Sequence, residues 1–306
     1  MHFGGVLNTM DKRDFATLLF ILSLSLGAVS RSVWKSGVLK KSRDKRMING
    51  EKADLRNWPF IASLKYTQSA NVYWKICSAT AISKRWMVTV AHCVRDKKGG
   101  VIRPNDLKVE LRDKTDPYKS STFSTEKILV HPRIGDAISI PLDSEIALIK
   151  LEGNASFHTT PIKLNSGSDF HRNCKSAGWG SQEVLPRGTE DILQKNYSIS
   201  STLQEIEVPL NVTWRHCLLS SRIKHAYSPG HYHKVFCGGE KTNNTEMAQG
   251  GCIGDSGSPL VCEGSNGVAL FGLMIGGDKR CIPGGSYMGF ADIAKHHMWL
   301  ISSIKG

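Results

Sequence analysis

The stretch Cys252-Ile253-Gly254-Asp255-Ser256-Gly257-Ser258-Pro259-Leu260-Val261-Cys262 decides the fold of this chain. Glycines on both sides of Ser256 let the backbone turn sharply, expose the serine hydroxyl and direct amide hydrogens toward one point in space. Such a loop suits a nucleophile whose reaction places negative charge on an oxygen. The alternative interpretation is an ordinary glycine-rich turn, which the two flanking cysteines make less favoured.

The length and one apolar segment indicate an exported globular protein. The 306 residues are 40% hydrophobic, enough for one large or two medium domains. Residues 15–29 form an apolar run that follows Lys12 and Arg13 and ends in small residues, which is typical of a signal peptide. Spanning a bilayer takes about 20 residues, more than this run offers. We therefore expect residues 1–30 to be a signal peptide and the protein to be secreted and extracellular, without a membrane anchor.

The positive charge is concentrated near the amino terminus. Residues 31–46 hold seven Lys and Arg residues against one Asp, nearly half of the net charge of +13. A basic tract without periodicity is typical of a flexible, protease-accessible segment, or of a solvated tail with no role. We expect it to be a propeptide ending at Arg46. The remaining charge leaves polyanion binding as an additional hypothesis, but we expect no specific nucleic-acid partner, no metal and no other cofactor.

Short apolar segments between turns predict an all-β protein for the rest of the chain. The segments are 60–66, 79–82, 87–90, 107–111, 146–151 and 269–275. Helical spacing begins only at Asp292, which is suited to cap a helix. Four apolar residues share one side of that helix, namely Ala294, Met298, Ile301 and Ile304.

Three segments carry a resemblance to a known family. The run Gly-Asp-Ser-Gly-x-Pro-Leu-Val-Cys at 254–262 resembles the nucleophile loop of the trypsin/chymotrypsin-like serine proteases, peptidase family S1. Thr-Val-Ala-His-Cys at 89–93 is similar to that family's histidine segment, and Ile-Ala-Leu-Ile-Lys-Leu at 146–151 to the strand after its catalytic aspartate. The resemblance implies a domain over 47–306 with two packed antiparallel six-stranded β-barrels, a C-terminal helix and a site in the cleft between the barrels.

The resemblance also implies catalytic roles. Ser256 would be the nucleophile, His92 its base, and the amides of Gly254 and Ser256 the oxyanion hole. Glu145 stands where the family has aspartate, and one extra methylene shifts a carboxylate by more than about 1 Å, which can cost about 100-fold in rate. A change of Glu145 to Asp is therefore expected to raise activity. Asp143, two residues earlier, is the second candidate for this position.

The junction after the basic tract resembles the family's activation site. Cleavage after Arg46 by an activating protease would give Met47 a new amino group, which could enter the body of the protein and pair with Asp255. The family usually begins with Ile at this point, and Met47 is apolar but more flexible. The resemblance therefore predicts a zymogen.

The expected substrate pocket differs from that of family members that cut after Lys or Arg. Those members carry an aspartate where this chain has Gly250, so we expect no preference for basic residues and an open site for apolar or aromatic groups. The expected pocket residues are Gly250, Gly251, Gly277 and Gly285. The family's Ser-Trp-Gly segment corresponds to Ile275-Gly276-Gly277, which lacks the hydroxyl and the aromatic wall. Ser78 and Ser258 replace two common glycines beside the cleft.

The cysteines and the sequons fit an exported chain. Eight cysteines in a secretory context predict disulfides rather than a metal site. The resemblance implies the pairs Cys77–Cys93, Cys174–Cys262, Cys217–Cys237 and Cys252–Cys281. Sequons predict N-glycosylation at Asn154, Asn196, Asn211 and Asn243.

Two functions are consistent with these motifs. One is a monomeric secreted serine endopeptidase that acts on protein or peptide substrates and is open to control by a protein inhibitor. The other is a catalytically impaired or inactive homologue that binds a protein partner. The first is favoured because nucleophile, base, oxyanion loop and activation junction are all present together.

Overall fold

The computed structural model describes residues 47, 49–69, 72–96, 98–113, 115–116, 118–134, 142–156, 158–167, 171–181, 200–212, 217, 235–240, 249–277 and 287–305. All of them lie in the larger of two compact units, Lys45–Gly306. The predicted signal peptide and propeptide lie outside these residues. In the described part of the chain, no helix is long and apolar enough to cross a membrane.

The described residues form thirteen strands and one α-helix. In chain order they are β1 (Glu51–Lys52), β2 (Ile61–Ser69), β3 (Val72–Ala81), β4 (Trp86–Thr89), β5 (Leu107–Arg112), β6 (Ser120–Val130), β7 (Ala147–Leu151), β8 (His171–Gly178), β9 (Gln204–Glu207), β10 (Val235–Gly238), β11 (Pro259–Gly264), β12 (Gly267–Gly276), β13 (Met288–Asp292) and α1 (Ile293–Lys305). The prediction of an all-β protein with a C-terminal helix is confirmed.

A closed six-stranded barrel forms the first half, with strand order β2-β3-β4-β7-β6-β5. Each neighbouring pair is antiparallel. Strand β5 shows the alternation of buried and exposed residues that a barrel strand requires. Leu107, Val109 and Leu111 are buried, while the residues between them are partly exposed. The barrel agrees with the prediction for this half of the domain.

A seven-stranded sheet forms the second half, with strand order β1-β9-β8-β11-β12-β13-β10. The resemblance implied a six-stranded barrel here, whereas the described residues form a sheet with β1 as a seventh strand. In β1, Glu51 pairs with Glu205 and Lys52 with Gln204. A charged pair of residues carries no hydrophobic alternation, so its pairing could not be predicted from the sequence. Strand β11 follows directly after the Ser256 loop.

Three of the four predicted disulfides are confirmed, Cys77–Cys93, Cys174–Cys262 and Cys217–Cys237. Cys252 is also in a disulfide, but its predicted partner Cys281 lies outside the described residues. The bridge from Cys174 to Cys262 joins β8 to β11. It therefore anchors the strand that follows the Ser256 loop.

Helix α1 closes the described chain. The Asp292 carboxylate accepts hydrogen bonds from the amides of Ala294 and Lys295, at 2.9 and 3.4 Å, so the predicted cap is confirmed. The predicted apolar side is only in part the packed face, because Ile304 packs against the core whereas Met298 is 82% exposed. The buried residues of the helix are Ile293, His296 and Leu300. His296 is polar, so a pattern based on apolar residues could not identify this face.

Candidate active site

Two neighbouring strands of the barrel bring His92 and Glu145 together. His92 lies in a short 3₁₀ helix, Ala91–Val94, directly after β4, and Glu145 lies two residues before β7. Strands β4 and β7 pair with Thr89 opposite Ala147. The Cys77–Cys93 disulfide holds the residue after His92 against β3. The barrel register therefore places both side chains at one edge.

One oxygen of Glu145 binds His92 twice. The distance from His92 Nδ1 to Glu145 Oε1 is 2.7 Å, and the His92 backbone amide donates to the same oxygen at 2.9 Å. The Glu145 side chain is fully buried, whereas about a third of the His92 side chain is exposed. The extra methylene of glutamate therefore does not prevent the contact. This geometry argues against the expectation that aspartate would work better here.

The other oxygen of Glu145 has no partner. Within the described residues, Oε2 is buried and receives no hydrogen bond. Ile275 is buried and has no hydroxyl, so its side chain cannot donate a hydrogen bond to this oxygen. An unsatisfied buried carboxylate oxygen costs free energy, because it has left water without a replacement hydrogen bond.

Asp143 has a different partner. Arg133 Nη1 lies 2.7 Å from its Oδ2, and the Ser144 hydroxyl donates to Oδ1 at 3.3 Å. Both Asp143 and Glu145 are buried, but Glu145 is the carboxylate that contacts His92. The second candidate for the carboxylate position is therefore not supported.

The Ser256 loop has a backbone that depends on glycine. Gly254 and Gly257 have φ angles of +93° and +79°, which side chains other than glycine rarely adopt. A Cβ atom at Gly257 would lie 2.1 Å from the Ser78 carbonyl oxygen. Among the described residues, the amides of Gly254 and Ser256 donate no hydrogen bond.

The structure does not join Ser256 directly to His92. Both residues are described, and no hydrogen bond between them is present, whereas the Ser256 carbonyl oxygen accepts one from the Ser78 amide at 2.8 Å. Hydrogen bonds between a catalytic serine and histidine are often long without substrate and shorten when substrate binds.

Asp255 is a fully buried carboxylate whose hydrogen bonds come from backbone amides. The Gly180 amide donates to Oδ1 at 2.8 Å and the Cys252 amide to Oδ2 at 2.9 Å. No cation of the described residues forms an ion pair with it. Burial raises the pKa of Asp255 to about 7, against the smaller lowering effect of the two amides. Asp255 is therefore a buried carboxyl without a cationic partner among the described residues.

Met47 already lies inside the second half of the domain. Its side chain is fully buried in a cluster that includes Cys174, Ile206, Leu260 and Phe290. Its φ angle is +47°, unusual for a residue with a side chain. Arg46, the predicted cleavage site, lies outside the described residues. The apolar side chain of Met47 thus packs in this core.

Two buried core methionines, Met274 and Met288, pack against Gly251, one of the predicted pocket residues. Gly250 and Gly251 are buried, and the Gly251 amide donates to Met288 Sδ at 3.1 Å. A Cβ atom at Gly251 would lie 2.5 Å from Met274 Sδ. The sequence analysis missed both methionines, because their positions depend on the register of β12 and β13.

The rest of the predicted pocket is more open. A Cβ atom at Gly276 would meet nothing within 4 Å, which fits the predicted loss of an aromatic wall. Gly277 is partly exposed, and Gly285 lies outside the described residues. In the described part of the chain, the space beside Gly276 is therefore open to a side chain.

One cluster has the composition of a metal site but not its chemistry. In the described part of the chain, Cys77, His92 and Cys93 form the one group of three possible ligands. The two sulfurs are joined in a disulfide, and metals bind thiolates.

Two of the four sequons can be described. Asn154 and Asn211 are exposed, and the Asn154 side-chain oxygen accepts hydrogen bonds from the Ser156 amide, at 2.9 Å, and from the Ser156 hydroxyl. The other two, Asn196 and Asn243, lie outside the described residues. The side chains of both asparagines are therefore accessible to solvent.

Comparison with known proteins defines the class. Residues 47–300 match the family described as Trypsin, so the chain belongs to the trypsin-like serine protease family. The chain is 27% identical over 260 residues to tryptase of Mus musculus, covering 80% of this chain and 84% of tryptase. It is also 27% identical over 233 residues to chymotrypsin-like elastase family member 1 of Bos taurus, covering 74% and 77%.

A longer relative shows the same match over part of its length. The chain is 26% identical over 272 residues to coagulation factor XI of Bos taurus, covering 85% of this chain but only 38% of the coagulation factor. The chain thus spans less than half of that relative. The family and the trypsin-like fold predicted from the sequence are both confirmed.

Proposed function

We propose that this protein is a secreted serine endopeptidase, made as a zymogen, that hydrolyses peptide bonds through an acyl-enzyme on Ser256. The observation that carries the proposal is the double contact of Glu145 with the ring and the backbone of His92, at 2.7 and 2.9 Å. A carboxylate only accepts hydrogen bonds, so this contact assigns the ring proton to Nδ1 and leaves Nε2 as the base.

The proposed chemistry follows from this arrangement. The Ser256 hydroxyl attacks the substrate carbonyl carbon while His92 Nε2 takes its proton. The oxygen that becomes negative is stabilised by the amides of Gly254 and Ser256, which have no other described partner. His92 then gives the proton to the leaving amine, and water releases the acyl group by the same route. Glu145 stabilises the imidazolium formed in both steps.

The zymogen part of the proposal is supported by Asp255 and Met47. Asp255 is buried without a cationic partner among the described residues, and the Met47 side chain already lies in the core. Cleavage after Arg46 would supply the missing ammonium at Met47, because a buried charge requires a partner. The predicted signal peptide, 1–30, and propeptide, 31–46, are part of this proposal.

We further propose that the pocket does not favour Lys or Arg. Gly250 supplies no carboxylate, and the thioethers of Met274 and Met288 lie against Gly251. Apolar surroundings of this kind suit apolar or aromatic substrate groups, because a buried cation would lack a partner there. We also propose N-linked glycans at Asn154 and Asn211 of this extracellular protease. We expect it to be a monomer, and a protein inhibitor is a further expected partner.

Turnover by the activated protein tests this function. The full chain is cleaved after Arg46, and peptide hydrolysis is compared among wild type, Ser256→Ala and Glu145→Gln. Ser256→Ala should be inactive. Glu145→Gln should be about 10⁴-fold slower, because a neutral amide can hold the wrong ring tautomer. A peptide library should give cut sites that are not dominated by Lys or Arg.

The alternative, a binding protein without activity, predicts a different result. The cleaved wild type would then be as inert as Ser256→Ala on every peptide in the library. Equal activity of wild type and Glu145→Gln would show that Glu145 does not orient His92.

A further inference from the structure

Ser78 lies between the two halves of the candidate active site. It belongs to β3 of the barrel, and its amide donates to the Ser256 carbonyl oxygen at 2.8 Å. Its own carbonyl oxygen accepts a hydrogen bond from the Thr89 hydroxyl, also at 2.8 Å. Both Ser78 and Thr89 are buried. The backbone of Ser78 thus connects the strand that leads to His92 with the loop that carries Ser256.

The side chain of Ser78 adds a third contact. The Ser258 hydroxyl donates to the Ser78 hydroxyl at 3.3 Å. This distance is long for a bond between hydroxyls, which is usually about 2.5–3.0 Å, so we expect this contact to be weaker than the other two. Ser258 is fully buried, so water does not replace the contact.

The space around these groups leaves little room for movement. A Cβ atom at Gly257 would lie 2.1 Å from the Ser78 carbonyl oxygen and 2.5 Å from the Thr89 hydroxyl. The chain at Gly257 therefore packs directly on the Thr89–Ser78 hydrogen bond. A shift of Ser78 would move the backbone on both sides of Gly257, including Ser256.

Thr89 is also tied to the carboxylate strand. It lies at the end of β4, three residues before His92, and pairs with Ala147, which lies two residues after Glu145. Thr89 therefore lies in the strand that leads to His92 and pairs with the strand that follows Glu145. Its hydrogen bond to Ser78 connects both strands to the residue that contacts the Ser256 loop. We propose that Thr89 is a positioning residue that, through the Ser78 carbonyl, sets the distance between His92 and Ser256.

The inference rests on the proposed function and deepens it. Because the structure shows no direct hydrogen bond between His92 and Ser256, their separation is fixed by the protein around them. Small displacements of a nucleophile reduce rates strongly, by about 100-fold for about 1 Å. The Thr89–Ser78 bond should therefore affect the reaction step more than the binding of substrate.

The chain offers matched controls. Thr80 is as buried as Thr89 and lies in the same barrel, but in the described residues its hydroxyl has no hydrogen-bond partner. Ser176 is the matching control for Ser258, because it is equally buried and its hydroxyl has no hydrogen-bond partner in the described residues. Replacement of these controls removes a buried hydroxyl of the same type without breaking a bond.

The test measures how fast a fluorophosphonate modifies Ser256 in the cleaved protein. Thr89→Val should lower the maximal rate of modification about tenfold, which corresponds to ~1.4 kcal/mol and to the loss of one buried hydrogen bond, with little change in the half-saturating concentration. Thr89→Ser keeps the hydroxyl and should react like wild type, as should Thr80→Val. Ser258→Ala should have a smaller effect than Thr89→Val, and Ser176→Ala none.

Equal effects of Thr89→Val and Thr80→Val would overturn the inference, as would a change in half-saturation alone. A second measurement separates this failure from failure of the proposed function. If the wild type does not react, hydrogen exchange at the Ser78 amide is compared among the same variants. Thr89→Val should accelerate that exchange and Thr80→Val should not, and equal exchange in both would refute the positioning role.

Discussion

Shortening Glu145 to aspartate tests the geometry of the candidate site. Removal of one methylene withdraws the carboxylate by roughly 1.3 Å if the backbone stays in place. The 2.7 Å distance between His92 Nδ1 and Glu145 Oε1 would then open to about 4 Å, beyond hydrogen-bond distance. The backbone has little freedom to follow, because β7 pairs with β4 on one side and β6 on the other.

The size of the expected effect follows from the two hydrogen bonds that Glu145 accepts from His92. Both are bonds to a charged group, each worth roughly 1.5–3 kcal/mol when intact, and both would break. Partial replacement by water reduces that sum, so we expect about 100-fold slower turnover, which is ~2.7 kcal/mol in the activation barrier. This outcome is opposite to the one expected from the sequence, where aspartate was the better side chain.

The assay compares kcat/KM of the cleaved wild type, Glu145→Asp and Glu145→Gln on one peptide. Thermal unfolding is measured in parallel, to separate misfolding from loss of orientation. Glu207→Asp, at an exposed position, serves as the control and should match wild type. If Glu145→Asp is as active as wild type or more so, the argument from the observed contact is refuted.

Three further results are expected. Gly276→Trp should fold with nearly unchanged melting temperature and should lower KM for peptides with apolar groups, because a Cβ there meets nothing within 4 Å. Gly257→Ala should instead unfold readily, and equal melting temperatures of the two variants would contradict the packing described for these glycines. Burial raises the pKa of Asp255 to about 7 from 3.8, so the uncut protein should lose stability as pH rises from about 4 to 7, on the order of 4 kcal/mol. In urea unfolding, Asp255→Asn should not lose stability over this pH range. If the variant and the wild type show the same dependence of stability on pH, Asp255 is not the cause. Arg46→Gln should remain unreactive toward a fluorophosphonate after treatment with the activating protease, and reaction equal to wild type would remove the zymogen argument.

Local sequence patterns predicted the all-β class and the C-terminal helix, and the family resemblance implied the arrangement of the strands. The loop at 252–262 and the segment at 89–93 identified the family, and with it three disulfides that the structure contains. Alternation of apolar residues predicted strands such as β5, and Asp292 predicted the helix cap. The strand alternation and the helix cap depend on neighbouring residues, which the sequence displays directly, whereas the disulfides were implied by the resemblance.

The rest depends on tertiary structure. The pairing of β1 with β9 and the burial of His296 involve polar residues, which carry no hydrophobic period. The contact between Glu145 and His92 depends on how β4 and β7 are aligned. It could not be predicted by comparing the lengths of glutamate and aspartate side chains. The packing of Met274 and Met288 on Gly251 likewise follows from the register of two strands.

The most direct test of the central claim is to locate a covalent adduct on the protein. The chain cleaved after Arg46 is incubated with a fluorophosphonate and digested, and the modified peptide is identified by mass spectrometry. We expect one adduct per molecule, on Ser256, with much slower formation in Glu145→Gln. No adduct on the cleaved wild type, or an adduct on a different residue, would contradict it.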